Sequence, residues 1–220
     1  MSTAGDRRLY FVRHGQSTWN VERRIQGQTA APPLTELGRY QARRAAEQLA
    51  QTGVTTLLTS DAMRAIQTAE FIGSVLGLPP IPTSLLREQH WGDLQGQTSD
   101  HAWAAGASLS DDERFPGGEA RCDVRARLEQ LLRSSALHNA SGPVVLVSHG
   151  DTIAQAVRLL SGDETAVPTP DNGTVICVGN RGKNHNRAWP LPVTVPVVKE
   201  CRLSRSAREA GEIPAWSSPL

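Results

Sequence analysis

Val144-Val145-Leu146-Val147-Ser148-His149-Gly150 is the stretch that decides the fold. A run of valine and leucine stops abruptly at a polar cluster, the pattern of a strand buried on both faces of a parallel sheet. Ile153, Val157 and Leu160 recur at helical spacing directly behind it, so strand, polar turn and helix follow one another without a linker. Leu9-Tyr10-Phe11-Val12 has the same form and ends at Arg13-His14-Gly15. These matching strands, each running out into a His-Gly pair, are the frame on which the other segments are placed.

Between them the chain alternates. Leu37, Ala42, Ala45, Ala46 and Leu49 form a helical stripe with Thr35 as N-cap and Gly53 as stop. Val54 to Thr59 then reads as a strand, and Ala62, Ile66, Ala69, Ile72 and Leu76 form a further stripe, capped by Ser60 or Asp61 and closed by Gly77 and Pro79. Residues 79–121 are mixed and rich in Gly, Ser and Asp, an irregular excursion over the sheet. Another amphipathic helix is predicted from about Arg121 to Leu137 on Val124, Leu128, Leu131 and Leu132. Thr174 to Val178 and Val193 to Val198 read as late edge strands, because Pro192 and Pro196 would interrupt a central ladder. Strands alternating with helices predict an α/β protein, a three-layer α/β/α sandwich around a mostly parallel sheet. The expected organisation is one domain over residues 1–201, with an irregular lid at about 89–120 and a flexible tail at 202–220.

Composition removes several classes of function. Lys plus Arg number 23 against 22 Asp plus Glu, and a net charge of +1 gives no long-range field to draw in nucleic acid or an anionic membrane. Hydrophobic residues make up 39% of the 220-residue chain, ordinary for a globular domain and too many for disorder. Cys122, Cys177 and Cys201 are odd in number and far apart, so neither a disulfide framework nor a zinc knuckle is indicated and a reducing, cytoplasmic setting is expected. After Arg7 and Arg8 the apolar run is cut at Arg13, so no export signal or membrane span is read there.

In open α/β sheets, ligands sit beyond the carboxyl ends of the strands. His14 and His149 therefore arrive at one rim, the first with Arg13 beside it. Arg64 lies in the first turn of the helix after the second strand, and helical side chains lean toward the N-terminus, which brings its guanidinium to the same rim. Planar forks of donors from Arg13 and Arg64, converging with the imidazoles, make an anion clamp. The chain has no H-E-x-x-H, no G-x-x-x-x-G-K-[ST] and no G-x-G-x-x-G, so metallohydrolase, nucleotidase and Rossmann readings lack their signatures.

Arg13-His14-Gly15-Gln16-Ser17, the Ser60 to Arg64 segment, Glu88 and Ser148-His149-Gly150 occur in this order within Leu9 to Leu160, and together they resemble the histidine phosphatase superfamily, the phosphoglycerate mutase-like proteins. Asn20, Gln26 and Gly27 also match that family's phosphate loop, while Ser17 stands where threonine is commoner and Asp61 where proline is frequent. The resemblance implies a phosphoglycerate mutase-like fold and a covalent route through a phosphohistidine on His14. It also implies Glu88 as general acid and then base on the opposite side of phosphorus, with a nearby phosphate dianion favouring its protonated form. Arg13, Arg64, His149, Asn20, Gln26 and Gly27 would hold the transferring group, His149 as a third cation if protonated, with no metal and no cofactor. Glu119 is a rival carboxylate, read instead as stabilising the helix that starts beside it.

The family contains both hydrolases and mutases. A mutase must hold a bisphosphorylated intermediate, yet the cover over residues 89–120 carries Asp93, Asp100, Asp111, Asp112, Glu113 and Glu119 against Arg114. Arg23 and Arg24 in the first loop offset part of that deficit. The expected activity is a phosphomonoesterase, a phosphoric monoester hydrolase of the histidine acid phosphatase type, acting on a small phosphorylated metabolite whose alcohol part is neutral or cationic. Glu88-Gln89-His90-Trp91-Gly92-Asp93-Leu94-Gln95-Gly96 is similar to broad-specificity and sugar-phosphate phosphatases of this family, and Trp91 and Trp103 are candidates for the leaving-group side. The competing readings are cofactor-dependent phosphoglycerate mutase-type transfer and a non-catalytic phosphate-recognising module. The expected partner is a small-molecule phosphomonoester, without nucleic acid or membrane, and a homodimer is compatible with the sequence.

Overall fold

Strand β1 (Leu9–Arg13) and strand β4 (Val144–Ser148) lie side by side and parallel, Leu9 opposite Val144 and Arg13 opposite Ser148. This register carries both His-Gly turns to the same edge, where the His14 amide donates to the Ser148 carbonyl at 3.0 Å. The computed structural model describes residues 8–100, 110–162, 169–180 and 193–194.

The other elements are α1 (Thr18–Val21), α2 (Glu36–Leu49), β2 (Thr56–Ser60), α3 (Met63–Leu76), β3 (Ile81–Thr83), α4 (Arg121–Leu132), α5 (Ser135–His138), α6 (Gly150–Ser161), β5 (Val175–Asn180) and β6 (Val193–Thr194). The strand order is β3-β2-β4-β1-β5-β6. Strands β3, β2, β4 and β1 run parallel, whereas β5 is antiparallel to β1 and β6 to β5.

The apolar runs of β1 and β4 alternate between two cores. Leu9, Phe11, Val144 and Leu146 face Val124, Leu128, Ile153, Val157 and Leu160 of α4 and α6. Tyr10, Val12, Val145 and Val147 face Ala45, Ala46, Leu49, Ala65, Ala69 and Ile72 of α2 and α3. Burying each large side chain contributes about 1.5–3 kcal/mol, so a sheet covered on both faces needs apolar residues at every position of its central strands. The α/β/α layering read from the sequence is therefore the observed one.

Several local expectations are corrected. Helix α3 is capped by neither Ser60 nor Asp61: Ala62 holds the N-cap position, and Asp61 makes a bidentate pair with Arg87 at 2.7 and 2.6 Å. The segment after residue 79 contains a parallel strand, β3, which adds to β2 despite Pro82 because it lies at the sheet edge. The helix predicted over Arg121 to Leu137 breaks after Leu132, where Ser134 turns extended before α5 begins, and serine competes poorly for helix interiors. Strand β5 is interior rather than edge, with β6 outside it. Residues 195–198 of the predicted last strand, Trp103, Cys201 and the tail at 202–220 lie outside the described residues.

Candidate active site

The loop after β1 is held against α2 by a close backbone approach. A Cβ on Gly15 would stand 2.2 Å from the Gly38 carbonyl oxygen, and one on Gly38 would stand 2.0 Å from the Gln16 oxygen, so both positions exclude a side chain. The amide of Gly15 also donates to Thr68 Oγ1 of α3 at 3.1 Å. The His14 ring is thereby fixed and 3% exposed, with Nδ1 donating to the Gly15 carbonyl at 2.7 Å. That bond places the hydrogen on Nδ1 and leaves the lone pair on Nε2.

Arg64 is fully buried. Its guanidinium donates to the carbonyls of Thr29 at 2.9 Å and Gly27 at 2.8 Å, which ties the first loop to α3. Burial lowers its pKa to about 10, so it remains a cation near neutrality. Arg13 is anchored through the Pro170 carbonyl, and its fork lies against Gly150, where a Cβ would stand 3.4 Å from the Arg13 guanidinium carbon. The tighter contact at Gly150 is with Thr169, whose Cγ2 would stand 2.5 Å from an added Cβ and would have to shift.

His149 is 1% exposed, its ring centroid 5.1 Å from that of His14 with planes at 62°. Burial and the cations Arg64 and Arg13 drive both imidazoles well below the ordinary histidine range. His14 is neutral, as a nucleophile must be. His149 would add a third cation to the clamp only if protonated, and the same burial and neighbouring cations favour its neutral form.

Glu88 is gripped from several directions. Ser148 Oγ donates to the Leu86 carbonyl at 2.7 Å and Thr152 Oγ1 to the Arg87 carbonyl at 2.8 Å, while Gln28 Nε2 and Arg127 each donate to the Glu88 carbonyl at 3.1 Å. Its carboxylate accepts from the Thr152 amide at 3.0 Å and the Asp151 amide at 3.2 Å, at the positive N-terminus of α6. Glu119 does not cap the N-terminus of the helix that follows it. It pairs with Arg127 at 3.2 Å and accepts from the His90 amide, while Asp123 accepts from the Ala120 amide at the start of α4.

Arg13, His14, Asn20, Gln26, Gly27, Arg64, Glu88 and His149, every site residue read from the sequence, line one cavity of about 220 Å³. Ser17 Oγ donates to Gln26 Oε1 at 2.8 Å, and the Ser17 amide donates to Asn20 Oδ1 at 3.0 Å, which leaves the NH2 ends of Asn20 and Gln26 as donors. Buried Arg13 Nε, Arg64 Nε and His149 Nδ1 have no partner among the described residues. Two guanidinium donors and a ring nitrogen left without partners on residues that line one cavity favour an anion there.

Sequence reasoning missed Asp151, which also lines the cavity. Burial and the neighbouring Glu88 carboxylate push its carboxyl up to about 7. Its signal was an acidic residue directly after Ser148-His149-Gly150, in the same turn that delivers a site residue. Trp19 and Ser99 also line it, and no local pattern marked them.

Comparison with known proteins gives the family. Residues 9–179 match the model of the histidine phosphatase superfamily, branch 1, and the chain belongs to that superfamily. It is 41% identical over 169 residues to glucosyl-3-phosphoglycerate phosphatase of Mycolicibacterium vanbaalenii, covering 71% of this chain and 75% of that relative. It is 40% identical over 152 residues to a Proteus mirabilis protein described as "Probable phosphoglycerate mutase GpmB", covering 64% and 69% of the two chains. Among solved structures, mycobacterial glucosyl-3-phosphoglycerate phosphatase Rv2419c with inorganic phosphate superposes with a TM-score of 0.70 at 32% identity, over 87% of this chain and 96% of that one. Bacillus stearothermophilus YhfR superposes with a TM-score of 0.72 at 27% identity, over 87% and 96%.

Proposed function

We propose that the protein hydrolyses a small phosphomonoester, of the sugar phosphate kind, through a phosphohistidine on His14. The observation that carries this reading is the charge distribution of one cavity, cationic at its floor and balanced at its rim. Arg13 and Arg64 face the floor together with the neutral His14 ring. At the rim, Arg23 pairs with Asp100 at 2.6 Å and Arg24 with Glu22 at 2.8 Å, and in the cover Arg114 pairs with Asp123 at 3.1 Å. A second phosphate would have to displace these carboxylates, which disfavours a bisphosphorylated intermediate and with it the mutase reading.

In the first half-reaction His14 Nε2 attacks phosphorus, the P–O ester bond breaks, and the leaving oxygen takes its proton from Glu88. In the second, water attacks the phosphohistidine while Glu88 accepts its proton, releasing inorganic phosphate and restoring neutral His14. Arg13, Arg64, His149 and the amides of Asn20 and Gln26 hold the equatorial oxygens, with the Gly27 carbonyl fixing Arg64. Asp151 stands beside Glu88 on the leaving-group side, so an alcohol rich in hydroxyls, or carrying an ammonium, fits better than one with a carboxylate next to the ester. Trp91, packed on Phe115 at 5.5 Å between ring centroids, offers an apolar face there.

The test is a panel of sugar phosphates, 3-phosphoglycerate and aryl phosphates, with hydrolysis and isomerisation measured in parallel and with EDTA added. Hydrolysis is expected to lead, unaffected by the chelator. Isomerisation of 3-phosphoglycerate outrunning its hydrolysis would overturn the reading.

A further inference from the structure

Ser60 was expected to cap a helix, and it does something else. Its side chain is fully buried, and Oγ lies 2.8 Å from His149 Nε2. The other contact of that oxygen is the Ala62 amide, which donates to it at 3.4 Å. Assigning the protons follows by elimination. A backbone amide only donates, so it gives Ser60 Oγ no place to send the hydroxyl hydrogen. If His149 carried hydrogen on Nε2, both neighbours of Oγ would be donors and a fully buried O–H would be left without an acceptor, a costly arrangement. With the hydroxyl donating to Nε2 and accepting from Ala62, both contacts of Oγ are satisfied, and the one group left over is the hydrogen on His149 Nδ1, which a ligand can accept.

We infer that Ser60 is a positioning residue that fixes His149 as the neutral tautomer with hydrogen on Nδ1, making the ring a donor to the bound phosphoryl group. His149 Nδ1 is the buried ring nitrogen without a protein partner, and the ring belongs to the cavity wall with Arg13, His14 and Arg64. A donor there needs no added charge, which suits a ring already crowded by Arg64, Arg13 and Arg127. The inference rests on the proposed site, and it assigns to a serine on β2 a task that the histidine cannot perform alone, since an unconstrained imidazole divides between tautomers.

The experiment is 15N NMR of the full-length protein labelled at histidine, without and with inorganic phosphate, at pH 7.5. The His149 signals, assigned by loss in His149→Gln, are expected to show a lone-pair nitrogen at Nε2 and a protonated Nδ1 before phosphate is added. Ser60→Thr keeps the hydroxyl and is expected to preserve both the pattern and phosphate affinity. Ser60→Ala is expected to mix the tautomers and weaken phosphate binding about tenfold. Hydrogen on Nε2 in the wild-type protein, an imidazolium at this pH, or unchanged tautomer and affinity in Ser60→Ala would each overturn the inference. Should Ser60→Ala fail to fold, the wild-type spectrum and Ser60→Thr decide it. The tautomer is read without turnover, so an absence of phosphatase activity would count against the proposed function and leave this assignment standing.

Discussion

The floor and the rim of the cavity are built by opposite rules. On the floor, His14, Arg64 and His149 are at most 3% exposed, each fixed by at least one short hydrogen bond to a sheet-end loop or a packed helix. At the rim, the Arg23 and Asp100 side chains are about 70% exposed and hold each other across two loops. Buried donors in a water-poor cavity act at nearly full electrostatic strength, whereas exposed pairs are worth less than about 1 kcal/mol. On the proposed reaction, chemistry belongs to the floor and substrate choice to the rim, and substitutions in the two regions should differ in kind as well as in size.

The largest effect short of removing the nucleophile is expected from Glu88→Gln. It should lower kcat for alkyl phosphates by about 10² to 10⁴-fold. The loss should be much smaller for p-nitrophenyl phosphate, whose leaving group needs no acid, and equal losses on both substrates would remove Glu88 from the acid role. Arg64→Met should cost about 10² to 10³-fold in kcat by deleting donors that face the transferring group. Because Arg64 also anchors the Gly27 and Thr29 carbonyls, the variant should melt earlier as well, measurable by calorimetry.

Asp151→Asn probes the boundary between the regions. Asp151 gains its charge as pH rises through about 7, above its ordinary 3.8, so the folded state loses stability progressively between those values relative to the acidic limit. The variant removes that loss, and its Tm should exceed that of the wild-type protein above pH 7 and match it near pH 4. At pH 8 it should also raise kcat/KM for carboxylate-bearing phosphomonoesters about tenfold, the size expected when one screened charge–charge repulsion is removed. At pH 5.5, where the wild-type residue is neutral, no gain is expected. A pH-independent gain would point to shape instead of charge. Arg23→Ala, at the exposed rim, should change kcat on a neutral sugar phosphate less than about threefold, in line with the small worth of surface pairs. A loss approaching that of Arg64→Met would erase the distinction between floor and rim.

The same division governs what the sequence revealed. Strands β1 and β4 were legible because burial on both faces demands unbroken apolar runs, and their chemistry was legible because each run ends on a His-Gly pair. Arg64 followed from helix geometry alone. Strand β3 escaped because three residues with a central proline carry no strand signal; only the neighbouring edge of β2 makes them one. Ser60 and Glu119 were misread for a common reason. Each sits beside a helix start, where local capping is the natural inference, but tertiary partners more than 80 residues away, His149 for the serine and Gln28 for the glutamate, claim their polar atoms. Asp151 was visible and overlooked, since its meaning depends on Glu88 arriving at the same helix N-terminus from another part of the chain.

The most direct test of covalent catalysis at His14 is rapid quenching with a 32P-labelled phosphomonoester, followed by peptide mapping. A phosphoenzyme that is labile to acid, stable to alkali, located on the His14 peptide and absent from His14→Ala is the result expected here. Full turnover in His14→Ala, or label found on another residue, would contradict it.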